Sequence, residues 1–492
     1  MKKIISLLLA AVMLFSLSIS AAAFNVTMKT TEGHTYTAYQ VFSGDLTEVD
    51  GSKILSNVVW GDGVNGPALL AALKADATYG AAFAECEDAA GVADVLAGFN
   101  NNSKEIAALA KIIAANKTTA AASGEGAIEG LDAGYYLILD TTSTTGMPEG
   151  DTYSDFILEV VSNVEVNAKD DSVSSQKKVK DTNDTTGETT GWQDSADYDI
   201  GDDVPFQLKA TIANDFDKYE TYKLVFHDTQ CDGLTLNADS FKAYADGEEI
   251  TGFTVVDNPD DDCTFEVVFD DLTEIDGVGN GSVITVEYTS KLNDEAAIGA
   301  AGNPNEMYVE YSNNPNADVD GIEDTTGKTP PDKVIVFTYK VNVNKVDENG
   351  APLEGAAFEL FKKVDGEWVS LGEGAGDDPT SFAWEGIDDG EYKLHETKTP
   401  DGYNSIDDIE FTVSAEHDEE SDAPALISLN GGDKFTGEVS TGVLTSDIKN
   451  KQGNTLPSTG GIGTTIFYVL GGLLVAFAAI LLITKKRMGA RD

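Results

Sequence analysis

Over most of its length the chain alternates apolar and polar residues with a period of two, which turns one face of a β-strand to a core and the other to water. The pattern is clear in Thr35-Tyr36-Thr37-Ala38-Tyr39-Gln40-Val41-Phe42, in Pro205-Phe206-Gln207-Leu208-Lys209-Ala210 and in Ser282-Val283-Ile284-Thr285-Val286-Glu287-Tyr288. It returns in Val334 to Val343 and in Glu391-Tyr392-Lys393-Leu394-His395-Glu396. Only one interior stretch breaks it. Between Pro67 and Lys117 the chain turns Ala-rich, and Ala68-Leu69-Leu70-Ala71-Ala72-Leu73 and Ile106 to Ile113 place apolar residues at helical spacing.

Clusters of Gly, Asn, Asp, Ser and Pro punctuate the runs and predict domain boundaries. The expected class is mainly β: three tandem immunoglobulin-like β-sandwich domains, the first carrying a helical insertion. Their expected bounds are 24–169, 170–332 and 333–451. Residues 170–190 read as linker with short extended stretches, and the Asn/Asp/Gly/Pro-rich stretch 314–332 as a second linker.

Both ends depart from the alternating pattern. Met1-Lys2-Lys3, an apolar stretch from Ile4 to Ile19 and Ala21-Ala22-Ala23 make a signal peptide over residues 1–23, with Phe24 the first mature residue. At the other end an apolar run over 462–484 is long enough to cross a hydrocarbon core as a helix. Behind it Lys485-Lys486-Arg487, in a tail of residues 485–492, marks the cytoplasmic side.

Charge and cysteine content narrow the function. With 85 acidic against 32 basic residues the formal net charge is -53, a surface that repels nucleic acid and anionic lipid. Four histidines leave little for acid–base catalysis, and no Ser/His/Asp or Cys/His constellation is visible, so no enzyme, cofactor or metal is expected. Asp170-Asp171-Ser172-Val173-Ser174 spells the start of an integrin-like metal site, but outside an α/β domain. Residues 316–321 begin like an EF-hand loop, yet its twelfth position is Gly327, where a bidentate Glu is needed. Of the three cysteines, Cys231 and Cys263 share a predicted domain of an exported chain and are the candidate disulfide; Cys86 has no evident partner.

Three motifs carry a resemblance. Leu456-Pro457-Ser458-Thr459-Gly460 before the apolar run resembles the LPxTG sorting signal of Gram-positive cell-wall proteins. It implies sortase cleavage between Thr459 and Gly460, through a thioester on the sortase cysteine. Tyr392-Lys393-Leu394-His395-Glu396-Thr397-Lys398-Thr399-Pro400-Asp401-Gly402-Tyr403 resembles the YxLxETxxPxGY motif of collagen-adhesin B-type domains. That resemblance implies a Lys345–Asn450 isopeptide bond assisted by Glu396. Burial would make the lysine a neutral nucleophile and the glutamate a proton donor. Segments around Lys177, Asp228 and Asn313 resemble the lysine, catalytic aspartate and terminal asparagine of pilin middle domains, which implies a second bond, Lys177–Asn313. In the first domain Lys29 and Asn163 are the corresponding guess. Val164, Val166 and Lys169 keep the register of the pilin motif WxxxVxVYPK, although its Trp, Tyr and Pro are absent.

Taken together, the chain resembles sortase-assembled major (backbone) pilins. The resemblance implies a structural subunit polymerised from Thr459 to Lys169 of the next copy and attached to the cell wall. Expected partners are copies of itself, a class C-type pilin sortase, a housekeeping sortase, accessory pilins and peptidoglycan. No host or surface ligand is specified. The alternative is a monomeric or accessory wall-anchored adhesin, which needs no acceptor amine at Lys169.

Overall fold

In the computed structural model, which describes residues 23–29, 33–49, 52–99, 104–143, 145–167, 172–315, 325–376, 378–453 and 462–488, the alternating runs pair into facing sheets in three successive domains. In the first domain, Phe24–Lys29 lies between Ala127–Leu131 and Val164–Asn167. A second sheet runs in the order Ser52–Trp60, Thr35–Val49, Gly134–Asp140 and Asp155–Val160. Val26, Ile128, Tyr136 and Ile138 fill the space between the two. The Ala-rich segment forms helices Gly66–Ala75, Gly80–Phe83, Ala89–Leu96 and Lys104–Ala115. These bury Leu69, Val92, Leu109 and Ile113 with Leu137 and Leu139, on the opposite face of the same strand. Gly134–Asp140 is thus buried on both faces, which is why its sequence is apolar throughout instead of alternating.

The middle domain is a sandwich. One sheet places Ser174–Val179 at its edge beside Asp203–Thr211 and then Val283–Leu292. The other runs Ser195–Asp197, Asp332–Phe337, Asn303–Ser312, Leu224–Gln230, Phe265–Phe269 and Thr254–Asp257. Two expectations change here. Part of the expected linker 170–190 is the domain's first strand, whose Lys177 and Val179 face the core despite its polar composition. The expected boundary at 332/333 also moves. Asp332–Phe337 pairs with Asn303–Ser312 and buries Val334 and Val336 in the middle core, while Phe337 joins the third.

The third domain begins at Tyr339–Val346, which lies between Ser381–Ile387 and Val443–Lys449. Its first and last strands are therefore neighbours, and they run parallel with Lys345 opposite Ile448. The facing sheet runs Glu367–Glu373, Ala357–Val364, Gly390–Lys398, Ile409–His417 and Leu426–Asn430. At the seam with the middle domain, Lys362 is buried among Asp184, Asp199 and Asp388, at 2.8, 2.7 and 2.6 Å. The Tyr339 hydroxyl crosses the same seam to Asp197, at 2.8 Å. Beyond the domains, helix Ile462–Met488 contains a 24-residue span, Thr465–Met488, whose most apolar 18-residue window has a mean hydropathy of 2.8, and its apolar side chains are exposed. That exposure suits a hydrocarbon environment.

Candidate functional site: two buried lysine centres

A lysine inside a β-sandwich is costly unless its ammonium is paired or neutralised. Two sites here bury one completely. In the third domain Lys345 sits on the inward face of the first strand. Its Nζ donates to the backbone carbonyls of Val346 and Ile448, at 2.9 and 3.0 Å. Asn450 follows the last strand and is fully buried; its Nδ2 donates to Glu396 Oε1 at 2.7 Å, and its Oδ1 has no hydrogen-bond partner. Glu396, on the facing sheet, also accepts from Thr399 Oγ1 and the Ile406 amide through Oε2. Burial pulls the Lys345 ammonium below its ordinary pKa, against the opposing pull of Glu396 and Asp347. The parallel pairing of first and last strands brings together three residues that are far apart in sequence.

In the middle domain Lys177 reaches from the edge strand of one sheet to Asp228 on the other, in a direct ion pair with no solvent access. Tyr288 joins them, its hydroxyl 3.1 Å from Lys177 Nζ and 3.0 Å from Asp228 Oδ2. The rings of Phe206 and Tyr288 stack on each other beside the ammonium, with Nζ 5.4 and 5.5 Å from the centroids. Burial pulls Lys177 down and pushes Asp228 up, so both move toward the uncharged pair of amine and carboxylic acid.

The asparagine in this cluster is Asn305 and not Asn313. Asn305 is fully buried, donates from Nδ2 to the Tyr288 hydroxyl at 2.8 Å, and leaves Oδ1 unpartnered. Asn313 lies just past the same strand, roughly 25 Å further along at the rise of extended chain. There its side chain accepts from Thr325 Oγ1 at 2.7 Å, and its carbonyl accepts the Tyr153 amide from the first domain. Asn313 therefore belongs to the seam between the first two domains. The signal for Asn305 was present in the alternation of Asn303–Ser312, where Asn303, Asn305, Met307, Val309 and Tyr311 share the buried face. Tyr288 was likewise legible only as a core position.

The remaining predicted residues are not in these centres. Lys29 pairs with Glu165 at the surface, and Asn163 Oδ1 accepts the Asn25 amide, so the two side chains are engaged elsewhere. Asp140, which matches the spacing of Glu396 after its tyrosine, is bound instead by His34 at 2.6 Å; the second ring nitrogen of His34 is 3.1 Å from Asp151. Cys231 and Cys263 are free thiols. Cys231 packs against the middle core, whereas Cys263 lies beside His227 and Asp261, so the two sulfurs sit in different clusters. Lys169 and Leu456, Pro457, Thr459 and Gly460 lie outside the described residues, as does the signal peptide through residue 22.

Comparison with known proteins agrees with this architecture. Residues 339–423 match the SpaA prealbumin-like fold domain, and residues 448–488 match the LPXTG cell wall anchor motif. The chain is 24% identical over 439 residues to the trypsin-resistant surface T6 protein of Streptococcus pyogenes serotype M6, an alignment spanning 70% of this chain and 78% of that one. It also shares its fold with the solved T6 backbone pilin of serotype M6 Streptococcus pyogenes, described as a modular three-domain structure decorated with variable loops and extensions. That match has a TM-score of 0.53 and 18% identity and covers 88% of this chain and 99% of the other.

Proposed function

We infer that this chain is a sortase-assembled backbone pilin, a structural subunit of a covalent surface pilus anchored to the Gram-positive cell wall. The observation that carries the reading is the presence, in one chain of pilin fold, of an LPXTG anchor and two buried lysine–carboxylate–asparagine centres. A monomeric adhesin shares the anchor but needs no acceptor amine at Lys169.

Each centre is set up for one condensation. Transfer of the lysine proton to the neighbouring carboxylate leaves a neutral amine beside a carboxylic acid. The amine nitrogen attacks the asparagine Cγ while the acid polarises the carboxamide oxygen. Collapse forms the Nζ–Cγ amide and breaks the Cγ–Nδ2 bond; the acid's proton leaves on Nδ2 as ammonia, and the carboxylate takes up the proton that Nζ sheds. The pairs are Lys345–Asn450 with Glu396, and Lys177–Asn305 with Asp228. This happens once per domain and is not turnover. In the third domain the bond ties parallel neighbouring strands, so tension entering at Tyr339 passes to the C-terminal end without unzipping the sandwich.

Assembly joins the sorting signal of one copy to the end of the first domain of another. A class C-type pilin sortase cleaves Thr459–Gly460 and holds Thr459 as a thioester. The Lys169 amine of another copy then resolves it, and the repeated head-to-tail contact propagates without closing. A housekeeping sortase transfers the finished polymer to peptidoglycan, and accessory pilins join through the same chemistry.

Co-expression with a pilin sortase tests this reading. The wild-type chain is expected to give a ladder of detergent-resistant polymers, and Lys169→Ala to give monomer only. A ladder that persists in Lys169→Ala moves the acceptor to another lysine. Absence of any ladder from the wild type returns the chain to the adhesin reading.

A further inference from the structure

On the side of the Leu224–Gln230 strand opposite Asp228, the metal-binding atoms of His227, Asp261 and Cys263 lie within 4.8 Å of one another, and the isopeptide chemistry uses none of them. His227 projects there, its ring almost fully buried and stacked on Tyr308 with centroids 4.5 Å apart and planes 7° from parallel. Its Nδ1 is 2.7 Å from Asp261 Oδ2, 3.3 Å from Glu266 Oε1 and 3.9 Å from Cys263 Sγ. The Cys263 sulfur is 3.5 Å from Asp261 Oδ2. Pairing brings these residues together: Glu266 and Tyr308 lie directly opposite His227 on the two adjacent strands. Between Asp261 and Cys263, Asp262 adopts a left-handed conformation, φ +67°, and both flanking side chains reach the imidazole.

We propose that His227 Nδ1, Cys263 Sγ and Asp261 Oδ2 hold a zinc-class divalent ion in the middle domain, with water as the fourth tetrahedral ligand and Glu266 beside the imidazole. Bonds of roughly 2.0–2.2 Å to nitrogen and oxygen and 2.3 Å to sulfur give tetrahedral ligand–ligand edges of about 3.4–3.6 Å. Among the three ligand atoms the sulfur–carboxylate separation of 3.5 Å matches those edges, the nitrogen–sulfur separation of 3.9 Å is slightly longer, and the 2.7 Å hydrogen bond between His227 and Asp261 must open. The mixture of imidazole, thiol and carboxylate suits zinc and not calcium, which takes six to eight oxygens.

Binding displaces the Cys263 thiol proton to solvent, and the imidazole proton resides on Nε2. Burial otherwise pushes this thiol up to about 11, so without a metal the sulfur stays protonated at neutral pH. Nε2 is buried and has no hydrogen-bond partner, so Nδ1 alone holds the ring in the cluster. The carboxylates around Lys362 differ, since that ammonium already occupies their centre. The ion would pin the 258–264 turn to the strand that carries Asp228.

The test is zinc titration of the reduced, expected mature chain, residues 24–459, in competition with a chromophoric chelator. One equivalent is expected to bind, with an affinity at least tenfold weaker in His227→Ala and in Cys263→Ser and a smaller loss in Glu266→Gln. Cobalt(II) in place of zinc should show a thiolate-to-metal charge-transfer band, read on the wild-type protein and hence independent of how the variants fold. Absence of that band overturns the site. So does zinc binding undiminished by both substitutions, or equally strong binding of calcium, either of which would assign the ion to scattered surface carboxylates.

Discussion

Replacing Asn305 with alanine isolates the middle-domain bond from everything else in the chain. If Lys177 condenses with Asn305, residues 24–459 should weigh two ammonias less than their sequence requires, about 17 Da for each bond formed. Asn305→Ala should then be short by one ammonia only, while Asn313→Ala, whose side chain meets Thr325, should keep the full deficit. The energetic cost follows from the loop that opens. Lys177 to Asn305 encloses roughly 130 residues, and restricting a loop of that size in the unfolded state is worth about 5 kcal/mol if the isopeptide acts as a disulfide does. Alanine also removes an amide that hydrogen-bonds Tyr288, a smaller loss of about 1 kcal/mol. At about 2–4 °C per kcal/mol for a domain of this size, the melting transition of the middle domain should fall by roughly 12–24 °C. Intact-mass spectrometry and a calorimetric scan read the two effects separately. The reasoning fails if Asn305→Ala keeps both missing ammonias, or if Asn313→Ala loses one. Either result would show that Lys177 selects a different amide from the one beside its aspartate and tyrosine.

Glu396→Ala should leave the Lys345–Asn450 pair unreacted, so that the mass deficit falls by one ammonia and no branched peptide joining those residues appears in a tryptic digest. Lys362→Met should destabilise the third domain by about 3–5 kcal/mol in chemical unfolding, because Asp184, Asp199 and Asp388 lose the ammonium they surround; unchanged stability would assign the seam to its backbone contacts. The His34 imidazole gives a pH dependence. Burial lowers its pKa, but hydrogen bonds to Asp140 and Asp151 outweigh that and raise it to about 9, against an ordinary value near 6.5. A raised folded-state pKa stabilises fully below about pH 6.5 and is lost as pH rises through 9, a change on the order of 3 kcal/mol. Melting of the first domain should follow that window in the wild type and flatten across it in His34→Gln.

Much of this protein was legible along the chain because the relevant physics is local. Period-two alternation marked the strands, an interruption at period 3.6 marked the helical insertion, and one long apolar run marked the anchor helix. Lys345, Glu396 and Asn450 could be named because a short strand-and-turn motif surrounds the glutamate and the other two stand at the domain's first and last strands. The middle domain was harder. Its first strand lies in a polar stretch that reads as linker with short extended segments, and the amide beside Tyr288 belongs to Asn305, eight positions before the Asn313 that the pilin resemblance implies.

Parity along a strand tells which residues face the core, and Asn305 and Asn313 have the same parity. Which of them meets Lys177 depends on how far one sheet slides over the other, and that offset is a property of two packed surfaces. The same dependence on pairing explains why Cys263 meets His227, 36 positions away, and leaves Cys231 unbonded. The sequence by itself determined the strands, the helical insertion and the chemical types available for crosslinking. Only the tertiary structure decided which amide each buried lysine faces, because register between sheets is set by long-range packing that no local period encodes.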